Sequence, residues 1–168
     1  MNGSISLNTG LPQNHSVGLS LNKRSEKFNL FTQLGAGYRS MPRINENINQ
    51  DLVNNTIIHS KGVEYRDENF YNLILGADYY INPQNILTLS GSFAYEIEDQ
   101  PSETNFSFED STGNIISEWQ RTENTQATNK KYRYALQYKR NFKDNEDHVF
   151  LFSAIENLFA KDLTSDFN

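Results

Sequence analysis

Along most of the chain, apolar and polar residues change places at every second position. In residues 86–98, Leu87, Leu89, Phe93, Tyr95 and Ile97 alternate with Thr88, Ser90, Ser92, Glu96 and Glu98. Side chains on a strand point alternately to opposite faces, so this period predicts a ribbon with one greasy and one wet side. The same period marks Ile5 and Leu7, then Val17, Leu19 and Leu21. It continues in residues 28–39, where Phe28, Leu30, Leu34, Ala36 and Tyr38 oppose Asn29, Phe31, Gln33, Gly35, Gly37 and Arg39. It returns with Tyr71, Leu73, Leu75, Ala77, Tyr79 and Ile81 against Asn72, Ile74, Gly76, Asp78 and Tyr80. Later, Tyr132, Tyr134, Leu136, Tyr138 and Phe142 oppose Lys131, Arg133, Ala135, Gln137 and Lys139, and a last strand over 149–159 alternates less cleanly. The pattern predicts an all-β chain of about seven strands with no helix.

The connections sort by length. Residues 23–27, 82–85 and 143–147 read as short turns, whereas 40–69 and 99–130 read as long polar loops rich in Asn, Gln, Glu and Thr. Within the second of these, Ser111-Thr112-Gly113-Asn114 between Phe106–Phe108 and Ile115–Trp119 predicts a hairpin. The Asn-rich residues 44–55 read as flexible loop. Apart from the modest link at 9–14, short and long connections alternate, which suits an antiparallel up-and-down meander with all long loops at one end. Outer-membrane barrels have that asymmetry, so the chain reads as a partial transmembrane β-barrel.

Composition sharpens the choice between a protein core and a bilayer. Only 36% of the 168 residues are hydrophobic, and much of that share is aromatic, with 11 Phe, 9 Tyr and 1 Trp. The mean hydropathy is -0.70, with no run long enough for a membrane-spanning helix. A small soluble barrel fills its interior with apolar groups, whereas a large membrane barrel has a polar one. Here one parity is Ser, Asn, Gln, Gly and charge while the other carries the bulk. The lipid-facing candidates are Leu73, Leu75, Leu87, Leu89, Phe93, Tyr95, Tyr134, Leu136 and Tyr138. The lumen-facing candidates are Arg39, Asp78, Glu96 and Arg133. Arg140 is a charge on the greasy parity, which costs roughly 2–4 kcal/mol at the bilayer midplane but only about 0–1 near the interface, where its adjacent turn would place it. The aromatics on that parity suit an interfacial girdle.

Several motifs resemble a known family. Gly3-Ser4-Ile5-Ser6-Leu7, Val17 to Arg24, Lys27-Phe28-Asn29-Leu30-Phe31 and Gly76-Ala77-Asp78-Tyr79-Tyr80 look like the barrel of TonB-dependent receptors, especially those of Bacteroidetes. The resemblance implies a Gram-negative outer-membrane location and a full barrel of about 22 strands around a plug domain. It also implies coupling to the TonB complex and uptake of an unknown small ligand. On that footing residues 1–168 form a partial outer-membrane β-barrel domain from the first part of the barrel, without plug or remaining strands. Glycines 18, 35, 37 and 76, all on the wet parity, would then let the plug lie close to the inner wall.

Charge and motifs exclude other chemistry. Lys and Arg number 15 against 21 Asp and Glu, net -6, with no basic stripe to suggest nucleic acid. The absence of cysteine removes disulfides and thiolate metal sites. His15, His59 and His148 have no ligand spacing. Residues 144–147 lack calcium-loop spacing, and Leu34-Gly35-Ala36-Gly37 has no third glycine or following helix for a nucleotide loop. Glu96 and Glu98 read as outwardly unpartnered lumen lining rather than a hydrolytic pair. The chain therefore reads as neither an enzyme nor a cofactor protein. The competing reading is a soluble β-sandwich binding module presenting Trp119 and loop tyrosines to a glycan or protein. A small closed barrel would need an eighth strand.

Overall fold

The computed structural model describes every residue except 144–147, on which the possible cation turn falls. Seven strands follow one another: β1 (Asn2–Gly10), β2 (Gln13–Arg24), β3 (Phe28–Asp51), β4 (Thr56–Asn82), β5 (Asn85–Glu109), β6 (Ile115–Asn141) and β7 (Val149–Phe167). They form one antiparallel sheet in the order β1-β2-β3-β4-β5-β6-β7. The fold is all-β and up-and-down, as the period of two predicts. Among the described residues β1 and β7 are edge strands and do not pair with one another. The β1–β2 register runs from Asn2 opposite Asn22 to Gly10 opposite Asn14, so Ile5 and Leu7 meet Leu19 and Val17 on one face.

The long loops expected at 40–69 and 99–130 are absent. β3 and β4 continue to a tight turn at residues 52–55, and β5 and β6 to another at 110–114, the hairpin anticipated there. The Asn-rich 44–51 is strand rather than flexible loop. Its residues lack a strong apolar period, so side-chain burial does not hold them in strand form. Capped turns do part of that work. Asp51 accepts the amides of Val53 and Asn54, and Asp110 accepts those of Thr112 and Asn114. β7 also runs further than expected, to Phe167, and it is greasy on both sides. The Gln137–Ser153 and Thr125–Ser165 hydrogen bonds put its odd residues on the polar side, which adds Leu151, Ile155, Phe159 and Leu163 there.

The chain divides into two compact units, through both of which β3 to β7 run. Unit 1 comprises residues 1–38, 69–96 and 129–161, and unit 2 comprises 39–68, 97–128 and 162–168. In unit 1 the apolar parity is a sheet of Leu, Phe and Tyr with cross-strand aromatic contacts. Phe93 lies 5.0 Å from Tyr132, and Phe28 stacks on Tyr79 at 5.0 Å. Leu75, Leu89, Tyr134 and Leu136 are exposed, and Leu73, Leu87, Phe93, Tyr95 and Tyr138 are half-buried. None of the nine is buried.

The usual distribution of burial is reversed. The only buried hydrophobic residue among those described is Ala127, while Ser40, Ser60, Glu68, Glu98 and Asn129 are buried polar or charged groups. Leu89 is 61% exposed and Glu68 only 1%. A water-soluble domain gains its stability from the opposite arrangement.

Candidate functional site

Within each unit, the polar parity of β3 to β6 carries paired charges and amides. In unit 1, Asp78 of β4 accepts Asn29 Nδ2 at 2.9 Å and Thr88 Oγ1 at 2.7 Å, tying β3, β4 and β5 together. Glu96 of β5 accepts Lys131 Nζ at 2.7 and 2.8 Å through its two oxygens, and Asn129 Nδ2 at 3.3 Å. Arg133 is exposed on the same parity.

Unit 2 carries a ladder of alternating charge. Arg39 Nη2 of β3 donates to both oxygens of Glu68 at 2.7 Å. Arg66 Nε stands 3.9 Å from Glu68, and its Nη2 donates to Glu98 of β5 at 2.8 Å. Gln100 Nε2 donates to the other Glu98 oxygen at 2.7 Å. Two carboxylates removed from water are costly unless each is paired and hydrogen-bonded, and both conditions are met. The Arg39 and Arg66 side chains are 40% and 45% exposed, whereas those of Glu68 and Glu98 are 1% exposed, so the ladder hides its anions.

Of the four lumen-facing candidates, Arg39 belongs to the unit 2 ladder, Asp78 and Glu96 belong to unit 1 clusters, and Arg133 joins none of these pairs. The expectation that Glu96 and Glu98 are unpartnered is wrong: each is held by a cation from an adjacent strand and by an amide. Sequence reading missed Glu68, Arg66 and Asn129. The available signal was the even parity of β4, where Arg66 and Glu68 continue the polar face beyond the region of clean alternation.

The glycines of the polar face also differ from expectation. A Cβ built at Gly76 would stand 2.1 Å from the Phe31 ring, and one at Gly37 would stand 2.4 Å from the Phe70 ring and 2.6 Å from the His15 carbonyl oxygen. At Gly18 it would stand 2.5 Å from the Ser6 hydroxyl. These three positions are covered by neighbouring strands of the same sheet, Gly76 and Gly37 by the aromatic cover that often stabilises glycine in sheets and Gly18 by a serine. Only Gly35 has room for an ordinary Cβ.

A scan against family models finds none that matches this chain, and a search of curated proteins finds no match. Its chemistry is therefore read from its own residues. Among the described residues no group of three His, Asp or Glu side chains is placed to hold a metal ion. His15 Nδ1 is 2.8 Å from the Thr9 hydroxyl, and His59 is 3.6 Å from Glu109. Leu34-Gly35-Ala36-Gly37 lies within β3 and forms no loop.

At the hairpin turns, two carboxyl groups are acidified. The Thr112 hydroxyl, then the amides of Asn114 and Thr112, lower Asp110 to about 2. The Asn54 side-chain amide, then the Val53 and Asn54 amides, hold Asp51 below its ordinary value. Nearby, Trp119 stacks flat on Phe106 with ring centroids 5.0 Å apart and remains 44% exposed.

Proposed function

We propose that the chain is part of an outer-membrane β-barrel of the TonB-dependent receptor type, acting in uptake of a small ligand and without catalytic activity. One observation carries this reading: the outward parity changes character while the strands run on. On β5 it reads Leu87, Leu89, Phe93, Tyr95, Ile97, then Asp99, Pro101, Glu103, Asn105. On β6, Tyr138, Leu136, Tyr134 and Tyr132 give way to Lys130, Thr128, Gln126 and Asn124. On β4, Leu75, Leu73 and Tyr71 give way to Asn69 and Asp67.

The apolar stretches lie in residues 28–38, 69–82, 85–96 and 129–141 of unit 1, each long enough for the roughly 9–11 residues that a tilted strand needs to cross a bilayer. A strand half in hydrocarbon and half in water calls for such a change, and a strand over a protein core does not. Unit 1 then carries the lipid-facing belt. Unit 2 carries water-exposed hairpins with a charged ladder, and within unit 1 Asp78, Glu96 and Arg133 are the lumen-facing residues. Unpaired edges are costly in hydrocarbon, so β1 and β7 need strand partners there.

The rival reading, a soluble module presenting Trp119, draws on the exposed Trp119–Phe106 stack. A sandwich needs two packed sheets, and all seven strands belong to one. It also gives no account of the exposed leucines of β4 and β5.

The test is site-directed spin labelling at Leu89 and Ser90 in lipid vesicles. Leu89 is expected to be accessible to oxygen and shielded from a water-soluble quencher, and Ser90 the reverse. Water at both positions, or recovery of the full-length protein in the soluble fraction of the native cell, removes the membrane reading.

A further inference from the structure

The apolar parity of unit 1 is not even. Ala77 and Gly91 stand in line with Leu75 and Leu89, and the missing side-chain volume leaves an open groove of about 630 Å³. Leu21, Leu30, Leu75 and Leu89 border it, and Tyr134 lines it from β6. Lys23, the last outward-facing residue of β2, also lines this groove. Lys23 is exposed, and no described carboxylate pairs with it. Unit 1 carries 10 Lys and Arg against 7 Asp and Glu, net +3. An apolar slot with an uncompensated ammonium beside it matches a molecule with a hydrocarbon chain and an anionic head.

We propose that this groove is a specific seat for an anionic phospholipid of the surrounding bilayer. One acyl chain lies along Leu21, Leu30 and Leu89, over Ala77 and Gly91, and the phosphate meets Lys23. The proposal rests on the membrane reading above. The Phe28–Tyr79 stack, on the same parity near the strand ends, fits the interfacial depth that places a headgroup beside Lys23. Removing Lys23 would take away the preference for anionic lipid. Filling the slot would take away retention of any lipid. Gly91 is the position to fill, because a Cβ there makes only ordinary contacts of 3.8–4.0 Å with Tyr134 and the Arg133 carbonyl.

The experiment reconstitutes the full-length protein, in which β1 and β7 have the strand partners they need, into vesicles, checks association by flotation, and counts lipids retained after detergent extraction by native mass spectrometry. The probes are phosphatidylglycerol and phosphatidylcholine with identical acyl chains. The expected result is roughly a fivefold preference for phosphatidylglycerol, the size that one Lys near an anionic surface gives. Lys23→Glu abolishes the preference, whereas Lys139→Glu, an equal charge change on the polar parity, keeps it. Gly91→Leu lowers retention of both lipids, and soluble glycerol phosphate displaces neither. Equal effects of the two lysine variants, or unchanged retention by Gly91→Leu, overturn the seat. Flotation with both lipids and no preference also overturns the seat while the membrane reading stands. Flotation with neither lipid removes both.

Discussion

Unit 1 and unit 2 share strands β3 to β7 and hold them by different means. In unit 1, apolar and polar residues alternate, the greasy parity is aromatic and leucine-rich, and the net charge is +3. In unit 2 the same parity bears Asp67, Asp99, Glu103 and Gln120, and 14 Asp and Glu face only 5 Lys and Arg, net -9. Its buried groups include the carboxylates Glu68 and Glu98. β-Structure of this length needs no hydrophobic face of its own when turns are capped and cross-strand charges pair. Strands of one sheet run through both units, and the side chains determine which surroundings each can tolerate.

The sharpest way to break this contrast is to place one charge in each unit. Leu89→Arg is expected to destabilise the folded chain in lipid vesicles by up to about 4 kcal/mol, and Asn105→Arg, exposed on the same parity of β5, by less than about 0.5. Denaturant titrations followed by emission of Trp119, the single tryptophan, measure both. Equal costs would mean that the two units share one environment.

Next in size is Arg66→Met, which strips a cation from both Glu68 and Glu98. A loss of about 3 kcal/mol is expected, the low end for a broken buried pair because the Arg66 side chain is 45% exposed. Recovery in the double variant Arg66→Met with Glu98→Gln would show that the uncompensated carboxylate causes the loss. In unit 1, Gly37→Ala is expected to cost about 2 kcal/mol through overpacking. Its Cβ would meet the His15 carbonyl and the Ser16 Cβ, at 2.6 and 2.8 Å, as well as the movable Phe70 ring. Gly76→Ala should cost less, since only the Phe31 ring must turn aside.

The smallest effect concerns the 110–114 turn. Asp110 titrates at about 2 in the folded chain against about 3.9 when unfolded, so its contribution is complete above pH 4 and is lost as pH falls toward 2. Carboxyl-carbon NMR should show a midpoint near 2, moving toward the ordinary value in Thr112→Ala. An unshifted midpoint in the parent chain would remove the cap from the account of unit 2.

The sequence by itself determined the element type, the approximate strand positions, the direction of the meander and the two parities of unit 1. All of these follow from a local period of two. Apart from the short hairpin about 111–114, it did not disclose that most of 40–69 and 99–130 is strand, because polar residues on both parities leave no clear period to read. The cross-strand partners were equally hidden. That Arg66 serves Glu68 and Glu98, that Lys131 holds Glu96, and that Phe31 covers Gly76 depends on register between strands. A shift of one residue would turn each of those side chains to the other face. Register is fixed by turns and pairing over the whole sheet, so only the tertiary structure could decide which charges meet.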